Sequence, residues 1–223
     1  MLLRKIAAAA AAMLIAGAAA AQLPADYSPP PPLLPENAWH LDLTTGGRVT
    51  VQLRPDVAPR HVERIRTLTR QGFYDGIAFH RVIEGFMAQS GDPTGTGAGG
   101  SPLPDLAAEF NGLPHLRGAA AMARTQEPNS ANSQFYLMLA PRFSLDRQYT
   151  VFGRVVAGMS FVDTIQRGEP PAVPSRIVRA SIGADNVPPP SAEELRAAAA
   201  APAPPARPQS PPPPSAAPPP RRQ

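Results

Sequence analysis

Four histidines, His40, His61, His80 and His115, and no cysteine make up the chain's stock of imidazole and thiol chemistry. No H-E-x-x-H places two of those histidines on one helix face, so a metal site is not expected, and the missing thiol excludes disulfides, thiolate metal sites and cysteine catalysis together. No G-x-S-x-G is present to expose an activated serine. Gly95-Thr96-Gly97-Ala98-Gly99-Gly100 matches G-x-G-x-x-G, yet Ser101-Pro102-Leu103-Pro104 follows where a dinucleotide fold needs a helix, and the segment reads as a flexible loop. What remains is the run from Phe79 to Pro93, F-H-R-V-I-E-G-F-M-A-Q-S-G-D-P. If Ile77 to Ile83 is a strand, Phe79, Arg81 and Ile83 share a face, which sets a guanidinium among apolar neighbours. A surface ion pair on an edge strand is the plainer reading of such an arginine.

The elements that would position this run have a period of two. Trp39, Leu41 and Leu43 alternate on one side of the turn signal Gly46-Gly47, and Val49, Val51 and Leu53 on the other, which predicts an opening hairpin. Strand-like runs recur at Ile77 to Ile83, Ala119 to Ala123, Gln134 to Leu139, Thr150 to Val156 and Ile177 to Ile182, and many short strands predict a barrel or sandwich. Two helices stand out. One opens at Pro59, carries Val62, Ile65 and Leu68 on one face and ends at Gly72; the other carries Phe161, Val162 and Ile165 and ends at Gly168. Two helices in a chain of this size can plug the open ends of a barrel.

The chain has 223 residues and 31 prolines, well above average usage. Six of them fall between Gln22 and Glu36 and fourteen between Pro188 and Gln223, so an ordinary stretch lies between two unusual ones. The expected organisation is a signal peptide over 1–21, a Pro-rich linker over 22–37, one domain over 38–187 and a Pro/Ala-rich disordered tail over 188–223. Within the tail, Glu193 to Ala201 could form a couple of helical turns. Arg4 and Lys5, the apolar run from Ile6 and the alanines at 19–21 have the layout of a secretory signal, and the run is too short and alanine-rich for a retained membrane anchor. Cleavage near Ala21/Gln22 would leave a periplasmic or secreted protein with no stable membrane insertion. The formal charge of +4 shrinks to 15 basic against 13 acidic residues between Asn37 and Val187, which is no nucleic-acid footprint.

Four long segments in order resemble the cyclophilins, the peptidyl-prolyl cis/trans isomerases: Phe79 to Asp92, Gly95 to Gly100, Met122 to Phe135 and Tyr149 to Val155. The resemblance spans about Trp39 to Ile182 and implies an eight-stranded antiparallel closed β-barrel capped by two α-helices, with the active groove on its outer face. It puts the family's key arginine on Arg81 and its glutamine on Gln89. The pocket for the substrate's proline ring falls on Phe86, Met87, Tyr136 and Leu145, with Tyr149 at the position that is histidine in many relatives. Ala123, Arg124 and Thr125 occupy the stretch that pairs with the peptide backbone, and Gln134 lies beside the groove.

The resemblance further implies that Xaa-Pro polypeptides are the partners and that no cofactor is needed; with the signal layout those partners are expected to be exported or envelope proteins, and a monomer is the default expectation. A Pro-peptide-binding module or a scaffold with low turnover is the alternative. Where relatives differ, Tyr136 replaces phenylalanine, Glu84 a common proline and Ser90 a common glycine; Ser144 stands where many eukaryotic relatives have a tryptophan to which the resemblance links cyclosporin sensitivity, so reduced sensitivity is expected.

Overall fold

A computed structural model describes residues 31–202. The expected signal segment, most of the linker and the distal tail lie outside the described residues. The opening alternation gives β1 (Ala38–Leu43) and β2 (Gly47–Leu53), antiparallel, with Trp39 opposite Val51 and Leu41 opposite Val49. At Gly47 a Cβ would fall 2.2 Å from the Phe161 ring, so any larger residue at the start of β2 would have to displace that ring of the second helix. Helix α1 (Pro59–Arg70) starts on proline and buries Val62, Ile65 and Leu68. Then come β3 (Arg81–Ile83), β4 (Met87–Ser90), β5 (Ala119–Met122), β6 (Phe135–Met138), β7 (Val151–Ala157), the short α2 (Met159–Asp163) and β8 (Ile177–Ile182).

The eight strands form one antiparallel sheet in the order β3-β4-β6-β5-β7-β2-β1-β8. Its two faces bury different things, because side chains alternate along each strand. Phe135 and Leu137 of β6, Ala120 and Met122 of β5 and Phe152 of β7 point to the main core with Trp39, Leu41, Val51, α1 and Val162 of α2. Tyr136 and Met138, Ala119 and Ala121, Val151 and Met87 form a second apolar cluster on the opposite face. That second cluster is what a sheet with a wholly solvated outer face would not need.

Three expectations are corrected here. The sheet curls into an open half-barrel, not a closed barrel: its edge strands β3 and β8 share no ladder. Across that seam Ala78 and Arg176 make an isolated bridge, Phe79 N–H donates to Ser175 C=O and Gly76 N–H to Ile177 C=O, while Gly168 takes the outward edge of β3 through Val82. The predicted strand Ile77 to Ile83 is regular only from Arg81, so the alternation does not run through it: Phe79 is buried in the main core whereas Arg81 and Ile83 lie on the outer face. The guanidinium is therefore not set among the core's apolar groups.

The third correction adds a helix. The helical turns read over Glu193 to Ala201 form as α3 (Ala192–Ala200), a third helix inside the tail expected to be disordered, behind a complete capping box, Ser191 Oγ accepting from Glu194 N–H and the Glu194 carboxylate accepting from Ser191 N–H. Leu195 is buried, and Arg176 Nη2 donates to the carbonyls of Ala198 and Ala201, 2.9 and 2.8 Å away, which caps the helix's C-terminal end. The second helix is shorter than expected, leaving its axis at Thr164, and Gln166 to Gly168 run on to the sheet edge; the Glu169–Pro170 peptide is cis.

Candidate active site

Arg81 stands on the edge strand β3 and directly faces Gln89 across the β3–β4 ladder, as Ile83 faces Met87. Its Nε donates to Glu169 Oε2 at 2.7 Å, with both side chains about half exposed. The Nη1 and Nη2 edge of the guanidinium has no protein acceptor among the described residues. The plainer sequence reading, a surface ion pair, is thus present, and it occupies only one edge of the fork. A guanidinium stays charged at every accessible pH and offers rigidly spaced donors.

Next to it the outer-face cluster brings together most of the residues singled out for a proline ring. Met87, Tyr136 and Val151 are buried in it, and Phe86, Ala123, Leu145 and Tyr149 pack against it half-buried. The Phe86 ring carries the Arg142 guanidinium 5.1 Å from its centroid. Ser144, the position that the resemblance gives to a tryptophan in many relatives, and its neighbour Phe143 are exposed at the rim.

On the other side of Gln89 lies a cavity of about 760 Å³ lined by Gln89, Gln134, Ala123, Arg124, Thr125, Ser130, Asn132 and the loop from Gly97 to Asp105. Gln89 Nε2 donates to Gln134 Oε1 at 2.8 Å, and Gln134 Nε2 donates to the carbonyls of Gly97 and Gly99. The glycine-rich loop that matched a nucleotide fingerprint is thereby a cavity wall. Asp92 fastens its other end: burial alone would raise the carboxyl's pKa, but the hydroxyl and N–H of Thr94 and the N–H groups of Gly99 and Gly97 hold it below the ordinary value. Arg124, on the cavity wall, donates through Nε and Nη2 to Gln148 C=O and lies 4.6 Å over the Tyr149 ring.

Sequence reasoning missed His115 and Asp146, which answer the hydroxyl of Tyr136. His115 is fully buried, with Nδ1 2.9 Å from Asp146 Oδ1 and Nε2 3.0 Å from Tyr136 Oη, and its backbone N–H also donates to Asp146 Oδ1. Burial lowers the pKa of His115 more than Asp146 raises it, so the ring is neutral at pH 7. The carboxylate fixes the proton on Nδ1, and Nε2 accepts from the Tyr136 hydroxyl, whose own pKa burial pushes up. This chain joins the floor of the apolar surface to the Leu145-Asp146 rim. A lone histidine with partners 21 and 31 residues away leaves no local signal.

Tyr136→Phe would leave Nε2 buried without a donor, and we expect it to cost about 1–3 kcal/mol in urea unfolding. Isomerisation should change less than about threefold, since the ring that walls the surface is retained. Among the described residues no group of three or more His, Asp or Glu is placed to hold a metal ion.

Residues 40–182 match the family described as cyclophilin type peptidyl-prolyl cis-trans isomerase. The chain is 50% identical over 167 residues to a probable peptidyl-prolyl cis-trans isomerase of Brucella suis, covering 68% of this chain and 85% of that one. Over 145 residues it is 37% identical to the peptidyl-prolyl cis-trans isomerase ppi1 of Schizosaccharomyces pombe, covering 61% and 94%. Among solved structures, the cyclophilin AquaCyp293 of Hirschia baltica superposes with a TM-score of 0.65 at 32% identity, covering 70% and 77%. A Cryptosporidium parvum cyclophilin type isomerase, crystallised in the presence of the dipeptide Ala-Pro, gives a TM-score of 0.61 at 26% identity, covering 65% and 98%.

Proposed function

The chain belongs to the cyclophilin-type peptidyl-prolyl cis/trans isomerases, and from that premise we propose that it speeds rotation about Xaa-Pro bonds in exported proteins, outside the cytoplasm and as a monomer. Amide resonance sets a barrier of roughly 18–20 kcal/mol, and unaided X-Pro exchange takes tens to hundreds of seconds. No bond is made or cleaved. As the C–N bond twists, the prolyl nitrogen becomes pyramidal and gains a lone pair, so a donor aimed at it stabilises the twisted state more than the planar one. Arg81 supplies that donor from its Nη edge. The surface formed by Phe86, Met87, Tyr136 and Leu145 holds the ring, Ala123, Arg124 and Thr125 offer backbone to the peptide, and Gln89 with Gln134 forms the polar step between ring surface and cavity.

One observation carries this reading: a guanidinium with an unclaimed donor edge stands directly beside Gln89 at the border of an apolar outer-face cluster. Two-dimensional NMR exchange on a short Xaa-Pro peptide, with the chain from Gln22 onward in catalytic amount, tests it. Acceleration to exchange within a second is expected, and peptide binding without faster exchange would favour the binding-module alternative. Export is supported by the signal layout of residues 1–21. It predicts an N-terminus near Gln22 in protein recovered from outside the cytoplasm; an intact Met1 would refute cleavage.

A further inference from the structure

Arg167, Gly168 and Glu169 lie along the outer edge of β3 as a single-bridge strand. Gly168 and Val82 exchange both backbone hydrogen bonds, N–H of Val82 to C=O of Gly168 at 2.8 Å and the reverse at 2.9 Å. Such an exchanged pair in an antiparallel register sets the neighbours on either side opposite one another, Glu169 against Arg81 and Arg167 toward Ile83 and Glu84. The register is also read by charge. Arg81 Nε donates to Glu169 Oε2 at 2.7 Å and Arg167 Nε donates to Glu84 Oε2 at 2.6 Å. The two pairs have opposite polarity, so a two-residue slip would bring arginine against arginine. Gly168 sits at φ +143°, and a Cβ there would come within 2.6 Å of Pro171 Cα, so only glycine admits this path. Glu84, which replaces the family's common proline, thus has a partner of its own.

We propose that Glu169 is a positioning residue for the isomerase reaction: by holding the Nε edge of Arg81 it turns the Nη edge of the guanidinium toward the prolyl nitrogen. The inference rests on the role given to Arg81 above. An unrestrained arginine on an edge strand samples many rotamers, and each is lost when it meets substrate. An ion pair this exposed adds little to stability, so the effect belongs in turnover.

The test compares Glu169→Ala and Glu169→Gln with the wild-type chain from Gln22 onward. NMR exchange on the Xaa-Pro peptide should show kcat reduced about tenfold in Glu169→Ala with KM within twofold, because misaimed catalytic groups act on the transition state. Glu169→Gln, which keeps an oxygen acceptor for Nε–H, should recover much of that loss. Thermal midpoints of all three should agree within about 2 °C. In 15N spectra the Arg81 Nε–H, assigned by its absence in Arg81→Lys, should be protected from solvent exchange in wild type and exposed in Glu169→Ala. Unchanged or raised kcat in Glu169→Ala, or a loss confined to KM, overturns the proposal. If the wild type shows no turnover, the isomerase reading itself fails, and the Nε–H protection still decides whether Glu169 holds Arg81.

Discussion

Arg81→Ala is expected to lower kcat/KM for an Xaa-Pro peptide about 10²- to 10³-fold, the usual loss when a preorganised donor to developing charge is removed. The same change should leave the fold intact. Arg81 lies on a three-residue edge strand, is 43% exposed, and among the described residues has Glu169 as its one ion-pair partner, also exposed. Surface pairs of this kind contribute about 0–1 kcal/mol, so the thermal midpoint should move by no more than a few degrees. Arg81→Lys should fall nearly as far as alanine. A lysine retains the charge but cannot give one edge to Glu169 and the other to substrate. The check is magnetisation exchange between cis and trans peptide signals, which reads rotation directly. A variant within threefold of wild type would remove Arg81 from the mechanism.

Trp39→Ala has the largest expected cost in stability. The indole is fully buried at the centre of an aromatic group, with ring centroids 4.9 Å from Phe135, 5.5 Å from Tyr74 and 6.1 Å from Phe152. Truncating it removes the apolar contacts and leaves a cavity bounded by β1, β6, β7 and the residues after α1, at about 3–5 kcal/mol. Edge-to-face partners such as Tyr74 and Phe135 raise the cost further. Against a typical total of about 5–15 kcal/mol, the thermal midpoint should drop by roughly 6–20 °C, followed by far-UV circular dichroism because no other tryptophan remains to report. Trp39→Phe should lose less. A midpoint shift below 2 °C in Trp39→Ala would show that Trp39 does not organise this core.

The fold was legible where a local pattern encodes it. The hairpin of β1 and β2 follows from strict alternation about Gly46-Gly47, and α1 from Pro59 and its apolar face. The outer-face position of Tyr136 follows from its place between Phe135 and Leu137. Legibility fails at the seam. Ile77 to Ile83 is a continuous apolar-rich run, and nothing within it says that the chain stays irregular until Arg81. Met87–Ser90 forms β4 without a β-branched residue, so propensity gives no signal there. The pairing of Arg81 with Glu169 spans 88 residues and depends on Gly168 finding Val82. Tertiary register of that kind is absent from any local window. The family's motif covers Arg81 itself but says nothing of what holds it.

Helix α3 alters where the folding unit stops. Arg176, whose backbone bridges to Ala78 at the seam, also closes the far end of α3, so the seam and the helix share one anchor. Ending the chain at Val187 would strip that guanidinium of both acceptors and take away Leu195, whereas ending it after Pro202 leaves each described contact in place. An effect of removing the Pro-rich end can therefore be credited to that end only when the cut falls beyond the helix. A cut at 187 would disturb the seam as well, and with it the edge on which Arg81 is mounted.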